Sequence, residues 1–394
     1  MDRESQYLLH LLGAFLRQAQ PEEPGDLDWG KLLQLSKIHT VTGILGYMAM
    51  SWPICPDGEL KATLRSACLT TIHAFNRRGV LADKLMEQLN SAGIDHIVMK
   101  GYVLREYYPV PELRTYGDID LVIRPEDRQK CNDLMLSLCY CLDHDWEPVY
   151  SYLRKDELYE IHTQIMEIDV SDKADHRAYF DAAWDHVRPQ FGHSYRFTPE
   201  FHFLYMITHI AKHVVGSGAG IRMYLDVAAF IRHFATDLDW QYIRQELEKL
   251  QLLDFANAVL TLVKHSFGVE SPLPLEPIAE DTWNTFLEFT LSGGIFGQVG
   301  RDSGSNSLKT QNRDTQKISR LGTFAKRLFP SAKTIQSRYT YLQDKPWLLP
   351  AAWIHRLIIT RDTWHRHAQE AQNIISADLT QVQKIKELYS QLGL

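Results

Sequence analysis

The chain has 394 residues, of which 45% are hydrophobic and 23% are charged, so it is long enough for two or three domains with hydrophobic cores. Its formal net charge of −7 at pH 7 argues against a protein that coats nucleic acid. No apolar run approaches the roughly 18 residues of a membrane span, and the charged first residues do not resemble a signal peptide. Five cysteines without a Cys-x-x-Cys pair argue against structural zinc and a disulfide framework, and they predict a reducing, cytoplasmic location.

Residues 1–91 are predicted to form a helical N-terminal region. Apolar residues recur there at helical spacing, segments containing Pro and Gly separate the helices, and the longest helix is predicted over about 59–90. Ser91-Ala92-Gly93 is predicted to end that helix. His39 and His73 are interpreted as packed or solvated residues rather than metal ligands. The sequence of this region therefore identifies no chemistry.

The most informative stretch combines a strand, a turn and a second strand that carries two acidic residues. A short apolar run stops at Lys100-Gly101, a helix is predicted over 101–108, and a Pro-rich loop leads to Asp118-Ile119-Asp120. Alternation along the second strand places Asp118 and Asp120 on one face. Neighbouring carboxylates repel each other unless a cation lies between them, and Mg²⁺ binds such carboxylates together with substrate phosphates. For the tripeptide alone, a turn with two solvated carboxylates is the alternative interpretation.

Four motifs occur together in an order that resembles a largely uncharacterised family of bacterial nucleotidyltransferases: Lys100-Gly101, Tyr108-Pro109, Arg114 and Asp118-Ile119-Asp120-Leu121. The superfamily pattern is a strand, a Gly turn and a helix, followed by a strand with Asp-hydrophobic-Asp. In the family that this chain resembles, Lys-Gly replaces the usual Gly-Ser turn, whose serine normally contacts phosphate. The resemblance implies an α+β fold with a small mixed sheet, flanked by helical N-terminal and C-terminal regions, and a Mg²⁺ (or Mn²⁺) site.

The resemblance also implies a third carboxylate on a strand beside the Asp-x-Asp strand. Two strand-like segments begin at about Val149 and Leu158, with a hairpin turn predicted between them. Glu160 is the first candidate, because the family has an acidic residue, an aliphatic residue and a histidine at this place. Asp169, which is also flanked by aliphatic residues, is the alternative. His162 shares the face of Glu160 and is interpreted either as a group that orients the metal or the nucleotide, or as an ordinary strand histidine.

A further helix is predicted to begin at Thr198-Pro199, since Thr is a favourable N-cap and Pro is favoured in the first turn. His209 and His213 share one face of this helix, but the segment lacks the Glu of a zinc-hydrolase helix, which argues against zinc. The two histidines are interpreted either as packed core residues or as residues that face the catalytic cleft. Three further polar residues would face the cleft with them: Lys212, Arg222 and Asp226. The resemblance favours the cleft, since the family shares the His-x-x-x-His…Arg…Asp pattern, and it implies that this helical region supplies cations to a triphosphate.

The remaining sequence predicts helices near 238–268 and 275–291, followed by a Gly-rich segment at 292–307. The glycines are spaced as in a phosphate loop, but no strand precedes them and no Lys-Ser/Thr follows, so a mobile loop is predicted. Residues 309–338 contain eight Lys and Arg residues and one Asp, against a net charge of −7 for the whole chain. This segment is interpreted either as a solvated helical face or as a surface for a polyanionic acceptor such as RNA.

These patterns predict three parts, a helical region at 1–91, a catalytic core at 92–195 and a helical region at 196–394. The predicted activity is metal-dependent transfer of a nucleoside monophosphate from an NTP, ATP among them, to a hydroxyl acceptor, with release of pyrophosphate. The acceptor is a small molecule, a protein or RNA. Two other functions remain open, a nucleotide-binding or regulatory protein without turnover, and a toxin–antitoxin or defence component that acts on RNA or on a protein.

The predicted roles follow the chemistry of each group. The metal ions are held by three carboxylates, of which Glu160 also accepts the proton of the acceptor hydroxyl: Asp118, Asp120 and Glu160. A second set is predicted to bind the nucleotide phosphates: Lys100, Gly101, Arg114, Lys212 and Arg222. A third set has an accessory role: His162, His209, His213 and Asp226.

Overall fold

The computed structural model describes residues 1–294, 329–335, 339, 341–359 and 378–394. A seven-stranded mixed sheet is combined with helices from both ends of the chain, so the predicted α+β fold class is confirmed. The strands are β1 (His96–Met99), β2 (Ile119–Ile123), β3 (Cys141–Trp146), β4 (Val149–Arg154), β5 (Glu157–His162), β6 (Val187–Phe191) and β7 (Ser194–Phe197). The described helices are α1 (Arg3–Arg17), α2 (Trp29–Ile38), α3 (Thr42–Ser51), α4 (Glu59–Ser91), α5 (Gly101–Leu104), α6 (Arg128–Ser137), α7 (His176–Asp181), α8 (Pro199–Val215), α9 (Ile221–Phe234), α10 (Trp240–Lys249), α11 (Leu253–Phe267), α12 (Glu280–Ser292), α13 (Ala332–Ile335), α14 (Tyr341–Asp344), α15 (Leu349–Ile359) and α16 (Leu379–Gln391). None of these helices is both long enough and apolar enough to cross a membrane.

Strand β2 lies in the middle of the sheet, whose order is β3-β4-β5-β2-β1-β7-β6. It runs antiparallel to β1 and parallel to β5, and all five of its residues are buried. Alternation explains this burial, because Val122 belongs to one hydrophobic core whereas Ile119, Leu121 and Ile123 belong to a second core on the opposite face. The acidic residues at the start of β2 are therefore supported by a strand that is packed on both faces.

The two cores are built by different helices. The larger core joins α1 and α3 to α8, α9 and α11, and it includes Ile97 and Met99 of β1. The smaller core packs α4 and α6 against the other face of the sheet, through residues such as Leu85 and Met135. The N-terminal helices thus contact both the sheet and the C-terminal helices. The division of the chain at residues 91 and 195 stays a prediction.

Several elements differ from what the sequence predicts. The helix predicted over 101–108 ends as α5 at Leu104, and a single 3-10 turn follows, because Tyr108 precedes a proline and is extended. Thr198 is the N-cap of α8, but its side chain makes no capping hydrogen bond. The sequence pattern does not identify β3, β6 and β7. These strands lie at or beside the sheet edges, and β6 buries none of its residues fully, so the apolar alternation is weak.

A buried imidazole connects the N-terminal region to the C-terminal helices. His39 follows α2, and its Nε2 donates to the carbonyl oxygen of Leu291 at 3.0 Å. Its Nδ1 accepts a long hydrogen bond, 3.4 Å, from the backbone N–H of Ile221. Both ring nitrogens are therefore satisfied by the neutral form, and burial lowers the pKa of His39 to about 4.

We expect the free energy of unfolding to fall as the pH drops from about 6.5 towards 4, because the unfolded chain binds a proton that the buried imidazole of His39 excludes. The stabilisation is fully present above the pKa that His39 has in the unfolded chain. The shift of this one imidazole accounts for up to about 3 kcal/mol of the free energy of unfolding between pH 6.5 and 4. Urea unfolding over this pH range should show a smaller slope for His39→Gln than for the wild type. The exposed His144→Gln is the control. Equal slopes for wild type and His39→Gln would contradict the role of His39.

Candidate active site

A cavity of about 510 Å³ opens at the start of β2, between the sheet and helices α8 and α9. Eleven residues that sequence reasoning selected line it: Lys100, Gly101, Arg114, Asp118, Asp120, Glu160, His209, Lys212, His213, Arg222 and Asp226. Its apolar walls come from residues such as Leu104, Leu158 and Met206. The fold therefore brings together groups that lie more than 100 residues apart in the chain.

Strand pairing fixes the position of the acidic groups. Asp120 of β2 lies directly opposite Glu160 of the parallel strand β5. His162 approaches both, with its Nε2 3.0 Å from Oδ1 of Asp120 and 3.6 Å from Oε2 of Glu160. Asp118 lies just before β2, and burial together with the charge of Asp120 raises its pKa. A divalent cation between these groups would relieve this repulsion.

Asp120, Glu160 and His162 form a cluster that fits a metal ion. One possible ligand atom from each residue lies within 4.8 Å of the other two. Two carboxylates and an imidazole are ligands that Mn²⁺ and other divalent ions accept, and carboxylates are the ligands that Mg²⁺ prefers. Asp118 lies outside this cluster but lines the same cavity. Two of the three predicted metal ligands, Asp120 and Glu160, therefore lie in one cluster whose chemistry fits a divalent cation.

Lys100 contacts a carboxylate rather than an open phosphate site. It stands between β1 and α5 with a backbone φ of 56°, a left-handed conformation that non-glycine residues rarely adopt. Its Nζ donates to Oδ1 of Asp120 at 2.5 Å. Burial alone would lower the pKa of Lys100, but the charge of Asp120 raises it above its ordinary value. Burial likewise opposes ionisation of Asp120, yet Lys100 and the hydrogen bond from His162 hold its pKa below the ordinary range.

The glycine after Lys100 is required by packing. A Cβ atom at Gly101 would collide with the guanidinium of Arg114 and with the side chain of Tyr116. Arg114 itself is held by Asp226 through two hydrogen bonds, Nε to Oδ1 at 3.0 Å and Nη2 to Oδ2 at 2.6 Å. The Tyr108 hydroxyl donates to the same carboxylate at 2.7 Å. Burial opposes the charge of Arg114, but Asp226 raises the pKa of the guanidinium. The Arg114–Asp226 pair thus braces the cavity wall.

The residues of α8 meet the cavity in two ways. The Nε2 atoms of His209 and His213 lie 3.2 Å apart, and burial lowers both pKa values, that of His213 to about 4, so the pair is neutral at pH 7. Within the described part of the chain, no third metal ligand joins them. Lys212 forms an ion pair with Glu167 at 3.1 Å. Glu167 also lines the cavity, although the sequence pattern selects the nearby Asp169 and not Glu167.

Asp169 lies elsewhere. Its two carboxylate oxygens accept hydrogen bonds from the backbone N–H and the Nε of Arg177, at 3.0 and 3.1 Å, and it does not line the cavity. Sequence reasoning missed Tyr205 and His202, which line the cavity with a buried hydroxyl and a buried Nε2 that lack partners among the described residues. Their apolar neighbours along α8 gave them the appearance of core residues. Residues 295–328, which include most of the predicted Gly-rich loop and most of the basic segment, lie outside the described residues.

A model of the family described as uncharacterised nucleotidyltransferase matches residues 25–268, more than half of the chain. The matched range contains the whole sheet and all the residues that line the cavity. Neither curated proteins nor solved structures give a match. The resemblance seen in the Lys-Gly and Asp-Ile-Asp motifs is therefore confirmed, and the chain belongs to the uncharacterised nucleotidyltransferase family.

Proposed function

We propose that the protein transfers a nucleoside monophosphate from an NTP to a hydroxyl acceptor and releases pyrophosphate. The observation that carries this proposal is the pairing of Asp120 with Glu160 at the mouth of a cavity of about 510 Å³, with Asp118 and His162 beside them. This volume is typical of sites for small molecules and cofactors, roughly 300–1,000 Å³. The family membership supports nucleotide transfer in general terms.

The charges of the cavity support a metal-dependent reaction. Four cationic side chains and five carboxylates line it. Three of the cations form ion pairs in which the two charges neutralise each other: Lys100 with Asp120, Arg114 with Asp226 and Lys212 with Glu167. The walls therefore do not offer enough positive charge for a triphosphate, which carries about four negative charges. Mg²⁺ or Mn²⁺ bound to the carboxylates would supply the missing charge and polarise the reacting phosphoryl group.

The proposed reaction gives each residue of the site a role. The acceptor oxygen attacks the α-phosphorus, the bond from that phosphorus to the bridging oxygen breaks, and pyrophosphate leaves. Glu160, whose side chain is 28% exposed, accepts the proton of the acceptor hydroxyl. Asp118 and Asp120 would hold the cation, and Lys100 and His162 orient Asp120 through hydrogen bonds to its Oδ1. Gly101 keeps its backbone close to Arg114, which forms the wall beside the phosphates.

One observation favours the alternative of a nucleotide-binding protein without turnover. The Lys100 ammonium lies 2.5 Å from an oxygen of Asp120 that a metal ion would use. Incubation with labelled NTPs, Mg²⁺ or Mn²⁺ and cell extract separates the two functions, because only the enzyme releases pyrophosphate and labels an acceptor. The nature of the labelled molecule then distinguishes a small-molecule, protein or RNA acceptor, including an acceptor that belongs to a defence or toxin–antitoxin system. Binding without pyrophosphate release would contradict the enzymatic proposal.

We propose a cytoplasmic location. All five cysteines are free, as expected where thiols are kept reduced: Cys55, Cys68, Cys131, Cys139 and Cys141.

Glu160, rather than Asp169, is expected to be the third metal ligand. Glu160→Gln should weaken Mn²⁺ binding at least about tenfold, because even partners outside the first coordination shell cost that much when removed. Asp169→Asn should bind Mn²⁺ as the wild type does, since its carboxylate is held by Arg177 outside the cavity. The measurement is the free Mn²⁺ signal in an electron paramagnetic resonance titration. Weakened binding in Asp169→Asn with unchanged binding in Glu160→Gln would assign the ligand to Asp169.

A further inference from the structure

Arg222 differs from the other cations that line the cavity. Within the part of the chain that the structure describes, Lys100, Arg114 and Lys212 each pair with a carboxylate, whereas Arg222 forms no ion pair. It lies in the first turn of α9 and in the cavity wall. Asp226 and Asp118 offset part of its charge from a distance, but no carboxylate among the described residues contacts it directly.

The contacts of Arg222 leave one edge of the guanidinium free. Nη1 donates to the hydroxyl oxygens of Thr40 and Thr115, at 2.6 and 2.7 Å. The Thr115 hydroxyl in turn donates to the carbonyl oxygen of Thr40 at 3.0 Å. Nε is buried without a hydrogen-bond partner among the described residues, and Nη2 makes no hydrogen bond to them either. Two neutral hydroxyl groups thus fix the orientation of the side chain without balancing its charge.

Arg114 shows what this free edge would normally hold. In Arg114 the same two atoms, Nε and Nη2, donate to the two oxygens of the Asp226 carboxylate. A guanidinium presents this edge as a rigid fork that matches the spacing of two oxygens in a carboxylate or phosphate group. Arg222 lines the cavity, and neither atom of this edge has such a partner among the described residues.

The cost of burying the Arg222 guanidinium indicates that an anion binds beside it. A guanidinium removed from water without a counter-ion is unfavourable. Burial, reinforced by the charge of Arg114, lowers the pKa of Arg222 to about 9, so the group is still charged at pH 7. Thr40, whose hydroxyl oxygen accepts a hydrogen bond from Arg222, has a strained backbone conformation with φ 55°, which is rare for a β-branched residue. Strain of this kind persists where the surrounding structure fixes a functional group.

We propose that the Nε–Nη2 edge of Arg222 binds the β- and γ-phosphates of the nucleotide, the part that leaves as pyrophosphate, and that Thr40 and Thr115 are its positioning residues. This proposal rests on the function proposed above, in which Asp118 and Asp120 would hold the cation beside the reacting α-phosphate. The two outer phosphates carry most of the charge of the triphosphate, and Arg222 is the cation of the cavity that forms no ion pair with a described residue. The N-terminal region, through Thr40, then contributes to the catalytic cavity.

The test is the binding of magnesium pyrophosphate, measured by titration calorimetry. Arg222→Gln should weaken binding about 10- to 100-fold, the range expected when charge-assisted hydrogen bonds are lost. Arg222→Lys keeps the charge but lacks the fork, so it should remain at least about fivefold weaker than the wild type. The matched control is Arg232→Gln, which removes an exposed arginine from the same helix and should bind as the wild type does.

The positioning role has a separate readout. Thr115→Val removes a hydroxyl that orients Arg222, so it should weaken magnesium pyrophosphate binding by about three- to tenfold. The double variant with Arg222→Gln should bind no more weakly than Arg222→Gln alone, because the hydroxyl acts through the guanidinium. Additive losses would overturn the positioning role. Thr40→Val provides the same comparison from the N-terminal region.

Two results would overturn the phosphate assignment. One is wild-type affinity in a folded Arg222→Gln variant, and the other is a wild-type protein that does not bind magnesium pyrophosphate. If Arg222→Gln does not fold, as judged by circular dichroism, Arg222→Lys and Thr115→Val decide the matter. The outcome is distinct from that of the proposed function. Pyrophosphate binding that depends on Arg222, without nucleotide transfer to any acceptor, would refute the enzymatic activity and support the subsite.

Discussion

Asp118→Asn is expected to lower metal-dependent nucleotide transfer by several powers of ten while the chain stays folded. The substitution keeps the shape of the side chain and removes one negative charge from the position where the metal ion and the reacting phosphate meet. Asp118 forms no ion pair among the described residues, whereas Asp120 is bonded to Lys100 and His162. Asp118→Asn therefore tests catalysis with less effect on stability than Asp120→Asn, which also leaves the Lys100 ammonium without its partner.

The rates should be measured at matched Mg²⁺ or Mn²⁺ concentrations, with the release of pyrophosphate as the signal. The exposed Asp172→Asn is the matched control, since it removes the same charge outside the cavity. We expect Asp120→Asn to lose at least as much activity as Asp118→Asn and to unfold at a lower temperature. Wild-type rates in the Asp118→Asn/Asp120→Asn double variant would refute the catalytic role of both residues.

Asp226→Ala is expected to lower the free energy of unfolding by about 3–5 kcal/mol, because it leaves the buried Arg114 guanidinium without its counter-ion. The Tyr108 hydroxyl loses its acceptor in the same variant. Urea unfolding measures the loss. The control is Asp156→Ala, which breaks an exposed pair with Arg77 in which both side chains are 48% exposed and should cost no more than about 1 kcal/mol.

A double variant shows whether Asp226→Ala loses stability because the attraction between the two ions is lost or because the buried Arg114 charge is left unpaired. Arg114→Met/Asp226→Leu replaces both ions with apolar side chains, so we expect it to recover much of the stability that Asp226→Ala loses. Such recovery would show that the cost comes mainly from the unpaired guanidinium. Equal destabilisation by Asp226→Ala and Asp156→Ala would contradict the assignment of Arg114–Asp226 as the brace of the cavity wall.

Local patterns predicted the parts of the fold that depend on neighbouring residues. Alternation indicated a strand that begins near Asp118, and the likeness to the family indicated a carboxylate on the adjacent strand, where Glu160 pairs in register with Asp120. Edge strands such as β6 were missed because few of their residues are buried. Apolar periodicity carries information only where one face of an element is packed.

The partners of the charged residues could not be predicted from the sequence. Arg114 binds the carboxylate of Asp226, 112 positions later in the chain. Arg222 donates to the hydroxyl of Thr40, 182 positions earlier. No periodicity encodes such contacts, because they arise only when the larger core packs α9 against elements that precede it by more than 100 residues. For the same reason, Lys100 was assigned to phosphate from its motif, whereas its ammonium contacts Asp120.

The close contact between Gly101 and Arg114 has a consequence for which residues can occupy the turn after β1. A serine at position 101, as in the Gly-Ser turn that Lys100-Gly101 replaces, would place a Cβ against the Arg114 guanidinium. Arg114 cannot move aside while Asp226 holds it by two hydrogen bonds. A change at any one of these three positions alone is therefore unfavourable, and we expect them to have changed together during evolution. Relatives with serine in the turn should lack either the arginine or its aspartate partner.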